Sequence, residues 1–154
     1  MDELRALTIR QPWAWAIVHA SKRIENRSRA DGIRPGMCSY RGPLLIHASK
    51  RETRDEWDAL AELHSSPPDR DSVPRGGIVG RCNVVAHVDP AGRVWLDAAE
   101  TQQAEATGSA VDWRWWAGGH GLVLANVRPT IFVPCRGNLG LWTPTDETLD
   151  LLGD

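Results

Sequence analysis

Residues 7–29 read LTIRQPWAWAIVHASKRIENRSR, and this stretch decides the fold. It opens with a short apolar strand ending at Ile9, followed by a polar corner at Arg10-Gln11. Pro12 stands where a helix would begin, because its fixed φ suits the first turn and its missing N–H is not needed there. Trp13, Ala16, Ile17 and Ala20 recur at helical spacing and give one short helix an apolar face. The charged run Lys22-Arg23-Ile24-Glu25-Asn26-Arg27 comes next. In a strand, Glu25 and Arg27 share one face while Ile24 points to the other. Such a pair is either part of a site or an ion pair on a sheet face. Lys22 stands at the helix-to-strand turn, where periodicity does not fix its direction.

This order resembles the ASCH domain family, a branch of the PUA-like β-barrels. The family signature is a strand, a QPWA- or QPYA-type helix start, and then Gly-x-Lys-x-x-Glu-x-Arg. Here it reads Gln11-Pro12-Trp13-Ala14 and then Ala20-Ser21-Lys22-Arg23-Ile24-Glu25-Asn26-Arg27. Ala20 replaces the glycine, so a left-handed turn there needs another solution. Three later phrases resemble the family as well: RGPLLIHA at 41–48, the strand GIVGRCNVVAHV at 77–88, and RGNLGLW at 136–142. The resemblance covers about 4–88 and 121–142. It implies one α+β domain over 1–154, a PUA-like β-barrel of about five to six mostly antiparallel strands with flanking helices. Residues 89–120, least like the family, read as an insertion.

The composition agrees with a soluble globular chain. Its 154 residues suit one domain with a real core, and 42% hydrophobic with 25% charged residues is ordinary. No run of about 18 apolar residues exists, so no membrane-spanning helix is expected. The start, MDELRALTIR, does not read as a secretory signal, and cytoplasmic residence is the expectation. Cys38, Cys82 and Cys135 are widely spaced, and the five histidines are scattered. They offer neither a disulfide framework nor a Cys-x-x-Cys or His-x-x-x-His pair, so no metal and no other cofactor is expected.

Charge is uneven. Residues 1–54 carry eleven Lys/Arg against five Asp/Glu, a net of +6, whereas 55–154 carry seven against fifteen, a net of −8. A basic N-terminal third suits an anionic partner such as nucleic acid, and the acidic remainder argues against broad polyanion coating.

Along the rest of the chain, 30–36 is loop chemistry and Pro43–Ala48 is a strand. Lys50–His64 reads as a helix with Trp57, Leu60, Ala61 and His64 on one face. Gly77–Val88 reads as a bent strand with Gly80 at a kink or bulge. Val94–Leu96 is a candidate short strand and Asp97–Ala106 a candidate short helix. Gly121–Asn126 and Thr130–Val133 read as two strands, with Pro134 limiting regular pairing. Thr145 caps a terminal helix with acidic residues in its first turn.

The resemblance implies a cleft between the first helix and the sheet. Into it fall Arg10, Gln11, Trp13, Lys22, Glu25, Arg27, Arg29, His47, Arg136 and Asn138. The leading expectation is binding of RNA, single-stranded DNA or a modified nucleotide. Arg and Lys would meet phosphates, a tryptophan would stack on a base, and amides would read its edges. Trp13 on the apolar helix face and Trp142 also read as core. The alternative is catalysis, with Lys22 and Glu25 as the catalytic pair. Some small ASCH proteins act as amidohydrolases on N4-acetylcytidine, and ribonuclease activity is associated with the family. Those hydrolases carry threonine at the position of Glu25, and their strand carboxylate maps near Asn83. A second alternative is a protein-interaction module at Trp113, Trp115 and Trp116, where exposed tryptophans beside Arg114 would dock a partner. The same tryptophans could instead anchor a long loop on the barrel.

Overall fold

The computed structural model describes residues 4–27, 36–96 and 111–153. The expected helix at 97–106, the loop at 30–35 and Arg29 lie outside them.

One curled sheet carries the molecule. It is built from β1 (Arg5–Ile9), β2 (Ile24–Arg27), β3 (Gly42–Ala48), β4 (Gly77–Val88), β5 (Val94–Trp95), β6 (His120–Pro134) and β7 (Leu141–Trp142). Strand order is β2-β6-β4-β3-β1-β7, with β5 paired to β4. Every pairing is antiparallel except β1 with β3, which run parallel. The seven strands form a half-barrel, and two of them are only two residues long. Among the described residues three α-helices flank it: α1 (Trp13–His19), α2 (Arg54–Leu63) and α3 (Asp146–Leu152). None of the described helices is long and apolar enough to cross a membrane.

The curl closes over one main core. Leu7 and Ile9 of β1, Ile17 of α1, Leu44 and Ile46 of β3, Val84 of β4 and Leu122 of β6 meet there. Each is at most 2% exposed, and burial of such side chains contributes about 1.5–3 kcal/mol apiece. On the opposite face, α3 packs Leu149 and Leu152 against Ala6, Leu45 and Trp142. Trp142 is therefore core, and its indole N–H donates to Thr8 Oγ1 at 3.1 Å. A third contact fixes α1: a Cβ on Gly80 would lie 2.8 Å from Val18 Cγ2. The glycine at the bend of β4 leaves the room that lets α1 approach the sheet.

Three sequence expectations shift. The helix read from Lys50 starts at Arg54, because Thr53 and Glu56 form a reciprocal capping box that sets its first turn. Leu60 is its one buried residue, and Ala61 is exposed. The two strands read at 121–126 and 130–133 are one continuous β6. Asn126 takes φ 54°, and register shifts against β4 absorb the bend, so Pro134 still sits opposite Gly77. At the end of α1, Ala20 keeps φ −125° and Ser21 adopts the left-handed φ of 59°. Both Ala20 and Lys22 donate their backbone N–H to Ala16 O, which carries the chain from helix into β2.

Candidate nucleic-acid interface

The turn at Ser21 decides where Lys22 points. Its side chain runs inward and is 2% exposed. Nζ donates to the Ile24 carbonyl, lies 3.5 Å from Glu25 Oε1, and sits 5.6 Å from the Trp13 ring centroid. Burial lowers the ammonium pKa and outweighs the attraction of Glu25, which raises it; Arg27 adds a further lowering. Glu25 is 7% exposed and also accepts from Arg27, Nη2 to Oε2 at 3.1 Å. The same Nη2 donates to Thr8 O at 2.9 Å, tying β2 to β1. The alternation read from the sequence thus holds: Glu25 and Arg27 share the inner face, while Ile24 packs on the other with Ala86 and Val88.

These groups floor a cleft of about 1010 Å³ between α1, α2, the sheet and the tryptophan-rich segment. Five cations line it, Arg10, Lys22, Arg27, Arg51 and Arg114, against the carboxylates Glu25 and Glu56. Arg10 is half-exposed at the rim, 3.8 Å from Glu56. Arg114 pairs with Asp112 at 2.9 Å and lies over the Trp115 ring, 5.3 Å from its centroid. Trp13, Trp115 and Trp116 give the wall its aromatic faces, and Asn138 with Leu139 closes one side. Two donors in this wall, Arg27 Nε and Trp115 Nε1, are buried and meet no acceptor among the described residues. Such groups cost about 1–3 kcal/mol each until an acceptor reaches them.

Not every expected residue arrives there. Gln11 is 1% exposed, and its amide is spent inside: Nε2 donates to Pro74 O at 2.8 Å, and Oε1 accepts from Trp15 N at 2.9 Å. It orients the start of α1 and is removed from the set of base-reading groups. His47 and Arg136 line a neighbouring cavity of about 850 Å³, which shares Thr8, Ser49, Arg51, Asn138 and Leu139 with the cleft. His47 donates Nε2–H to Cys135 O at 2.8 Å and stacks edge-on against Trp142. Burial lowers its pKa, which favours the neutral, hydrogen-bonded form. Gly137 passes so close that a Cβ there would be 2.6 Å from His47 Cε1. Asn83 lies between Cys82 and Val84, which face the main core, so it points away from the cleft.

The tryptophans divide. Trp115 is 2% exposed and packs on Ala16 and Leu60, which pins the segment to both helices. Trp116 donates its indole N–H to Gly119 O at 2.8 Å. Trp113 is 39% exposed and meets Trp116 edge-on. Asn26 fastens the segment from below, donating to Trp115 O and accepting from Ala117 N. Sequence reasoning missed Thr8, Arg51 and Arg114 as cleft residues. Arg51, three residues beyond the end of β3, carried no periodic signal of its own.

Comparison with known proteins agrees with this fold. The profile of the ASCH domain matches residues 7–126. Among solved structures, a point mutant of the ZmASCH protein from Zymomonas mobilis shares the fold, with a TM-score of 0.50 and 15% identity. The match covers 97% of this chain and 94% of that one. No curated protein matches the chain.

Proposed function

The chain belongs to the ASCH domain family, and on that footing we propose that it binds RNA or single-stranded nucleic acid through the cleft beside α1. The observation that carries this reading is the partly buried Arg27, locked between Glu25 and Thr8 O, at the floor of a cleft with three further arginines and tryptophan faces around it. A guanidinium held in this way is oriented before a phosphate arrives, so little side-chain entropy is lost on contact. Arg10, Arg51 and Arg114 would track a phosphate backbone, and Trp116 or Trp13 would stack on an unpaired base. A base edge or phosphate oxygen would supply acceptors for Arg27 Nε and Trp115 Nε1 after a small side-chain adjustment. The cytoplasm suits three cysteines that form no disulfide with one another.

A second reading, hydrolysis, is favoured by one observation: Lys22 is a desolvated lysine at the cleft floor, with its pKa lowered, against a carboxylate. A neutral amine keeps two N–H bonds, which suffice for Ile24 O and Glu25, and frees a lone pair to accept a proton from water. Its substrate class would be RNA or an N4-acylated cytidine.

One experiment separates the two. Wild type, Arg27→Ala and Lys22→Ala are incubated with labelled single-stranded RNA, single-stranded DNA and N4-acetylcytidine, and binding and product are followed together. Salt-sensitive retention without product, weakened in Arg27→Ala, supports a reader. Product formation that disappears in Lys22→Ala makes the protein a hydrolase. Neither binding nor turnover overturns both.

A further inference from the structure

Cys38, His87 and His120 come from distant parts of the chain and converge at one end of the sheet. Cys38 follows buried Met37 in the turn before β3, His87 lies near the end of β4, and His120 opens β6. Because His87 pairs with Leu122, it stands diagonal to His120 on the same face. The two imidazoles stack with centroids 5.2 Å apart and planes 14° from parallel. His87 Nε2 lies 3.0 Å from His120 Nδ1, and Cys38 Sγ lies 3.8 Å from that same nitrogen. All three donor atoms lie within 4.8 Å of one another.

We propose that these residues form a zinc-class metal site, with a Cys-His-His ligand set and one coordination position left for water or a fourth donor. A relay for nucleophilic catalysis would place thiol and second base on opposite nitrogens of the central imidazole. Here both approach Nδ1, so the three donor atoms gather around one point. The distances fit an ion. Zinc–nitrogen bonds of about 2.0–2.1 Å and a zinc–sulfur bond of about 2.3 Å at tetrahedral angles set N···N near 3.4 Å and N···S near 3.6 Å. The observed 3.0 and 3.8 Å bracket those separations. A thiolate with two imidazoles selects zinc or cobalt over magnesium and calcium, which take oxygen donors. Arg27 stands opposite His120 across the β2–β6 ladder, but its guanidinium turns to Glu25 and Thr8 O.

The site clamps the turn before β3 to the ends of β4 and β6, so occupancy should stabilise the fold. The test uses the full chain, stripped with a chelator and titrated with Co²⁺, then Zn²⁺. One equivalent of Co²⁺ should bind, giving tetrahedral ligand-field bands and a thiolate-to-cobalt charge-transfer band, and Zn²⁺ should displace it. Cys38→Ser should abolish the charge-transfer band, whereas Cys135→Ser should leave it intact. Zn²⁺ should raise the melting temperature of the wild type, and His120→Gln should weaken Co²⁺ binding at least tenfold. Failure of the wild type to bind one equivalent, or a charge-transfer band that survives Cys38→Ser, overturns the assignment. The wild-type titration alone decides the matter if the His120 variant does not fold. Neither result bears on nucleic-acid binding.

Discussion

Two carboxylates in this protein sit between two cations each, and they do different things. Glu52, just before α2, is saturated: Arg75 donates from Nε and Nη2, Arg70 Nε donates at 2.9 Å, and the Trp57 indole donates at 2.8 Å. The hydrogen bonds from Arg75, with those from Trp57 and Arg70, outweigh burial and hold its carboxyl at about 2. Glu25 faces Lys22 at 3.5 Å and Arg27 at 3.1 Å, looser contacts around a lysine whose charge is opposed by burial. Identical residue types therefore give a fastener in one place and an incompletely satisfied cluster on a cleft floor in the other. Unspent hydrogen-bonding capacity, rather than charge, is what sets the second apart as the proposed ligand site.

Of the two carboxylate sites, the fastener should give the larger effect on stability. Glu52→Gln should destabilise the fold by about 1–3 kcal/mol at neutral pH, since hydrogen bonds to partly exposed arginines hold the carboxyl at about 2, below its ordinary 4.5. A depressed carboxyl contributes stability that is complete above the ordinary value of 4.5 and lost as pH falls through about 2. Urea unfolding of both proteins at pH 7 and pH 2.5 should therefore show most of the difference vanishing in acid. An equal difference at both pH values would mean that shape, not charge, is what the glutamine disturbs.

Arg27→Ala comes next and acts on binding. Losing one oriented phosphate contact should weaken single-stranded RNA about 10- to 100-fold and make the salt dependence shallower by about one ion. The comparison fails if Arg75→Ala, at the fastener, weakens RNA binding as much as Arg27→Ala while the protein remains folded.

A smaller effect is expected from Lys22→Met, because Arg27 still pairs with Glu25 at 3.1 Å and burial already opposes the lysine's charge. Its signature is pH dependence. With its pKa lowered in the folded state, Lys22 releases its proton before the unfolded chain does. Wild-type stability should consequently rise as pH climbs from the folded pKa towards 10.5, and the rise should flatten in Lys22→Met. A parallel pH profile for the two proteins would show that Lys22 stays charged in place.

Much of this was legible before any coordinates. The QPWA helix start, the Lys-x-x-Glu-x-Arg strand, the bend at Gly80 and the Thr145 cap all depend on contacts close in sequence, where spacing and residue chemistry suffice. The helix start at Arg54 is also written in the chain, in the Thr53–Glu56 capping box, although the charged and apolar pattern extends back to Lys50. Gln11 could not be read correctly, because its partner Pro74 lies 63 residues away. The unity of β6 was hidden by Pro129 and Pro134, whose cost is avoided through register shifts that only the β4 partner reveals. Cys38, His87 and His120 show no ligand spacing at all, since topology alone brings them together.

The smallest expected change concerns Trp113, and it divides the tryptophan segment. Trp115 is the buried anchor, and truncating it to alanine should cost about 3–5 kcal/mol through the cavity left against Ala16 and Leu60. Trp113, at 39% exposure, supports little of the fold, so Trp113→Ala should shift stability by no more than about 0.5 kcal/mol. It does not line the cleft, so RNA affinity should hold within about twofold, the few tenths of a kcal/mol that a distant surface change usually causes. Should Trp113→Ala instead reduce RNA binding as strongly as Arg27→Ala, the binding surface would extend over the rim along the tryptophan segment. The fastener and the cleft floor would then no longer be the two terms to compare, because the aromatic edge rather than Glu25 and Arg27 would set affinity.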